Sequence, residues 1–219
     1  MKASPIDYDT VREMLRTATP DRVLRFIGKS HAADIALLFK EIEPAEARKL
    51  FEILFSARRA EKTLKELPPE LLPDILALID DEHVARLIVR ADPDDAVTFI
   101  DSLPEQRREA VMSLLDPERR DEVRELINYP EGTVGRIMNT DFLALSPSTT
   151  AQGAIDKIRE RGELETFFYL YVVDDANKLI GVVPIRNLVI APRDRKLSEM
   201  MIADPIRADV FMDQEEAAR

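Results

Sequence analysis

The residues of this 219-residue chain whose types and spacing bear most directly on chemistry are carboxylates. Asp92, Asp94 and Asp95 fall together, separated only by Pro93. Such a cluster at a helix start has two readings. It caps exposed amides and meets the positive end of the helix dipole, or it offers hard oxygen ligands to a divalent cation, completed by groups from elsewhere. The spacing is not that of an EF-hand loop. His31 and His83 are the two histidines; they lie in different helical segments, outside any HExxH pattern, and read as structural or surface groups. With no cysteine there is neither a thiolate metal site nor a disulfide framework. No nucleophile–histidine pair, metal triad or phosphate-cradling glycine loop is present in the sequence, so it points to binding and not to catalysis.

Charge narrows the partners. The chain carries a net charge of -11: 20 basic and 27 acidic residues over 1–130, 11 and 15 over 131–219. Both halves repel nucleic acid and anionic lipid at long range. The longest apolar run is seven residues, against the roughly 20 needed to cross a bilayer, and Met1 to Lys29 lacks a signal-peptide pattern. Composition is globular, with disorder expected at Met1 to Pro5 and around Arg193 to Lys196.

The elements that position the carboxylates follow from punctuation. Pro44, Pro68, Asp80, Pro93, Pro104 and Pro117 recur along the chain, and from Pro68 onward each interval is the length of one short helix. Between them run short helical patterns. They are Leu71, Leu72, Ile75, Leu76 and Ile79; Val84, Leu87 and Ile88; Ala96, Val97, Phe99 and Ile100; and Ala110, Val111, Leu114 and Leu115. Proline at the first helical turn gives up only an N–H that has no intrahelical partner, and Asp92 and Asp116 stand at the cap positions. Such short helices are stable only when stacked on one another, so residues 1–130 read as a superhelical stack.

Residues 131–196 alternate. Phe142–Leu145 is a short strand, and Thr149–Gln152 has capping-box spacing before a helix through Ile155, Ile158 and Arg159. Phe168–Val173 and Leu179–Val183 form a hairpin around the turn Asp174–Lys178, and Ile185–Ile190 returns to helical spacing. Gly181 signals close approach by backbone or ligand, or a relief of packing. One constant register shift places Val134 on Leu197, Met138 on Met201, Asp141 on Asp204 and Ala154 on Ala217. Residues 197–219 therefore read as the opening of a second copy, whose uncovered apolar face is expected to be completed from outside the sequence given.

GRIMNTDFLALSPSTTAQGAI, FFYLYVVDDANKLIGVVPIRNLVIA and LSEMM together resemble a CBS domain. The helical stack, joined through NYPEGTVGRIM, is similar to the N domain of the MgtE family of magnesium transporters. The fold class expected is thus α plus α/β, a superhelical stack followed by a strand-helix-strand-strand-helix CBS unit. The resemblance implies a regulatory region that senses intracellular Mg2+ and gates a membrane pore. It further implies a homodimer on the cytoplasmic side of the cell membrane, with a transmembrane pore domain in the same polypeptide. As ion ligands it implies Asp95 of the N domain, with Asp92 and Asp94 beside it, the main chain near Gly135, and Asp213 and Glu215. It also implies ATP as a second ligand, with Tyr169 to stack on the base and Arg186 to meet phosphate. One departure is Asn187, where the family often has an acidic residue. Two other readings compete: a stand-alone CBS-containing module binding nucleotide or protein, and a structural role for a stack similar to the armadillo-like repeats of flagellar rotor proteins.

Overall fold

The computed structural model describes residues 7–161 and 168–219, so the expectation for Met1 to Pro5 lies outside the described residues. The chain divides into two units, one ending at Met138 and one beginning at Asn139.

The first unit is helical. Ten helices are described: α1 (Tyr8–Thr17), α2 (Pro20–Ile27), α3 (Ala32–Leu38), α4 (Pro44–Ser56), α5 (Ala60–Leu64), α6 (Leu72–Ala77), α7 (Asp81–Arg90), α8 (Pro93–Asp101), α9 (Glu105–Leu114) and α10 (Pro117–Ile127). The sequence dictates their starts. Proline enters α2, α4, α8 and α10 at the first turn. The Asp116 side chain accepts from Arg119 N (3.0 Å), and Asp80 accepts from His83 N (2.8 Å). The apolar faces join in one core from Val11 to Leu126. Helix α9 turns differently from its apolar spacing: Val111, Met112 and Leu115 are buried, while Leu114 is 52% exposed. The two histidines belong to separate helices. His31 is exposed at the start of α3. His83 packs edge-on against Phe55, with centroids 5.1 Å apart.

Packing is predominantly between helices two apart, such as α3 on α5, α7 on α9 and α8 on α10. Arginines instead brace helices three apart, donating to main-chain carbonyls at or just past earlier helix ends. Arg59 reaches Ser30 O (2.9 Å), Arg107 reaches Leu76 O and Ile79 O (2.9 and 2.7 Å), and Arg119 reaches Ile88 O and Ala91 O (2.8 and 2.6 Å). Carbonyls at a helix C-terminus have no intrahelical donor, so these guanidinium groups supply one.

The second unit is a four-stranded sheet with helices. It contains β1 (Ala144–Leu145), α11 (Ala151–Arg161), β2 (Tyr169–Val173), β3 (Leu179–Pro184), α12 (Ile185–Ile190), β4 (Ile202–Ala203) and α13 (Gln214–Ala217). Strand order is β1-β2-β3-β4, with β1 parallel to β2 and the remaining pairs antiparallel. Leu170, Val172 and Val183 bury one face with Ala151, Ala154, Leu188 and Leu197. Gly181 is closely approached by protein: an added Cβ would lie 2.7 Å from Met201 Sδ and 3.0 Å from Ile202 O.

Two local expectations are corrected. The cap of α11 is Thr150, whose Oγ1 accepts from Gly153 N (3.1 Å); Gln152 instead bonds Asp156. The chain around Arg193–Lys196 is ordered, because Arg195 O and Arg193 O accept from Ala151 N and Gln152 N (2.8 and 3.0 Å). That segment therefore satisfies the first amides of α11. The internal repeat is visible in local conformation. One-turn 3-10 helices occupy Val134–Arg136 and Leu197–Glu199, and α11 and α13 begin at Ala151 and Gln214. Their caps, Thr150 and Asp213, stand at equivalent positions.

Candidate metal centre

The start of α8 gathers the acidic trio. Asp92 holds extended backbone at the cap position (φ -62°, ψ 155°) and Pro93 follows at the first helical turn. The Asp92 side chain makes no capping hydrogen bond, unlike Asp80 and Asp116. One oxygen from each of Asp92, Asp94 and Asp95 lies within 4.8 Å of the others. Among the described residues, this is the group of three acidic or imidazole side chains drawn that close together.

Electrostatics mark the trio as strained. Burial pushes the Asp95 carboxyl up to about 6, with the charges of Asp94 and Asp92 adding to the rise and Lys65 opposing it. Lys65 Nζ stands 3.4 Å from Asp95 Oδ2 and 3.6 Å from Asp92 Oδ2. Asp94 Oδ1 is buried without a hydrogen-bond partner. An acceptor left in that state is costly, and a cation is one means of satisfying it. The residues present thus fit a hard divalent ion.

Gly135 sits in the 3-10 turn Val134–Arg136, buried, with the Tyr129 ring 2.6 Å from where a Cβ would stand. Arg136 fixes that turn through Tyr129 O (3.3 Å), Ile127 O and Asp101 Oδ2 (2.5 Å). Asp213 and Glu215 belong to the second unit and are exposed. Asp213 Oδ1 caps α13 by accepting from Glu215 N (2.9 Å) and Glu216 N (3.1 Å).

Tyr169 and Arg186 both lie at the open end of the β2–β3 hairpin. Tyr169 pairs with Pro184, and Ile185 N donates to Phe168 O (2.9 Å), so α12 begins beside the start of β2. Both side chains are exposed. Asn187 lines a separate pocket of about 370 Å³ with Arg195, Glu199 and Met200.

Sequence reasoning missed Lys65. Its signal lies in the stack itself, where basic side chains reach partners 28 to 35 residues away. Lys65 follows the same reach in the opposite chain direction.

The comparisons divide the chain a few residues before the boundary between the two units. Residues 30–132 match the MgtE intracellular N domain, and residues 134–194 match the CBS domain. The fold is that of a crystal structure described as the soluble part of a magnesium transporter (TM-score 0.86, 24% identity, covering 96% of this chain and 83% of that one). It equally matches the cytosolic domain of the Mg2+ channel MgtE in complex with ATP (TM-score 0.87, 24% identity, 96% and 86%). The class so defined is a helical intracellular domain coupled to a CBS module.

Within that class the chain carries a match to the MgtE intracellular N domain followed by CBS sequence. The magnesium transporter MgtE of Bacillus subtilis is 27% identical over 187 residues, covering 85% of this chain and 41% of that protein. MgtE of Thermus thermophilus is 26% identical over 217 residues, covering 96% and 47%. The chain therefore spans less than half the length of these curated relatives. No helix among the described residues is long and apolar enough to cross a membrane.

Proposed function

We propose that this chain is the cytosolic regulatory region of a Mg2+ channel or transporter, and that it senses intracellular divalent cations. The observation that carries the reading is the acidic trio at the start of α8, within an MgtE-type N domain. Asp92, Asp94 and Asp95 would hold the ion, and the ion supplies the positive charge that their mutual repulsion lacks. A form of the region that binds the cation gains population as its concentration rises. Through that shift the region gates a transmembrane pore domain of the same polypeptide, as a homodimer at the cytoplasmic side of the cell membrane. The activity is one of binding, with no covalent step.

Asp213, Glu215 and the main chain at Gly135 are the further ligand positions in this reading. Tyr169 and Arg186 serve a second ligand, ATP, one ring to stack and one guanidinium to pair with phosphate. The structural relative bound to ATP and the exposure of both side chains support that assignment.

The test is Mg2+ titration by calorimetry of the chain and of a variant combining Asp95→Asn, Asp213→Asn and Glu215→Gln. Saturable binding lost in the variant is the expected result. Equal binding by both would sink the assignment of these residues.

A further inference from the structure

Lys65 closes α5 and directs its ammonium at the trio, 3.4 Å from Asp95 and 3.6 Å from Asp92. Two members of the trio, Asp92 and Asp95, face this ammonium, and Asp94 lies beside them. Asp94 Oδ1 is buried and has no hydrogen-bond donor, so the site also holds an acceptor without compensation.

We propose that Lys65 is a built-in competitor for the divalent cation, holding Asp92 and Asp95 in the ion-free state and leaving when the ion binds. This inference rests on the metal-centre reading above. Its physical basis is mutual exclusion. An ammonium at 3.4 Å from a ligand oxygen repels a dication on that same oxygen, and both claim the same lone pairs. The four-carbon stem lets the charge swing into water without moving the helix. Lys65 therefore stabilises the empty site and weakens the filled one. It places the affinity below what the three carboxylates alone would give.

The experiment is Mg2+ titration by calorimetry of the full chain, Lys65→Met and Lys65→Arg, with thermal melting of each in chelator and in Mg2+. Lys65→Met should bind Mg2+ about tenfold more tightly, the scale of one adjacent charge. Its ion-free form should melt lower, with a larger rise on adding Mg2+. Lys65→Arg keeps the charge and should stay close to the unaltered chain. Lys65→Gln, with a polar neutral head, repeats the test should Lys65→Met fail to fold. Equal or weaker Mg2+ binding by the folded neutral variants, beside a binding unaltered chain, would overturn the competitor role and leave the metal centre standing. Absence of Mg2+ binding in the unaltered chain and in every Lys65 variant would overturn the metal centre itself, and this inference with it.

Discussion

Asp95 couples stability to pH in a direction opposite to most carboxylates. Its folded-state value, about 6, lies above the ordinary 3.8. The folded chain therefore binds the proton more readily than the unfolded one, and the associated stability is present below about 3.8 and lost as pH rises through about 6. Two outcomes are predicted. In chelator, Asp95→Asn raises the melting temperature at pH 7.5 by a few degrees and leaves it nearly unchanged at pH 3.5; equal shifts at both would contradict the account. Mg2+ affinity falls as pH drops through about 6, because protons and the ion compete for one carboxylate. A flat affinity between pH 5 and 7.5 would remove Asp95 from the ligand set. The acidic trio was legible in the sequence because its members are near neighbours. Its counter-charge was not, since Lys65 lies a full helix pair before Asp92 and meets it only through stacking.

At the scale of elements, two devices hold the frame around the site, and each gives a prediction. Arg119, on α10, donates to Ile88 O and Ala91 O at the end of α7, just ahead of Asp92. Arg119→Ala leaves those carbonyls without this donor and is expected to cost about 2 kcal/mol, read by chemical denaturation. No measurable loss would show that water replaces the guanidinium. The turn at Gly135 depends on a missing Cβ, since Tyr129 fills that space. Gly135→Ala should destabilise the helical unit by about 1 to 3 kcal/mol through overpacking, and an unchanged melting temperature would refute the contact. Local signals fixed α12, whose predicted and observed limits agree, and placed the β2–β3 hairpin to within a residue at the ends. They failed where a distant segment decided the outcome. The α11 cap moved to Thr150 because residues 193–195 take the amides of Ala151 and Gln152. Within α9 itself the spacing was ambiguous: Met112 is buried and Leu114 is exposed.

For the whole molecule, no helix among the described residues is long and apolar enough to cross a membrane, and the sequence carries an internal repeat. Local structure carries that repeat in paired 3-10 turns and paired helix starts, down to the capping side chains Thr150 and Asp213. What the chain does follows from one claim, that a net charge of -11 includes a site where three carboxylates are held together for a cation. The measurement that tests it most directly is thermal unfolding of the full chain at pH 7.5 across a Mg2+ series. It should be run beside a variant carrying Asp92→Asn, Asp94→Asn and Asp95→Asn. A ligand that binds only the folded form raises the melting temperature in proportion to the logarithm of its concentration above Kd. The account predicts that rise in the unaltered chain and none in the variant, whose ion-free form melts higher. A matching rise in both, or none in either, would contradict it.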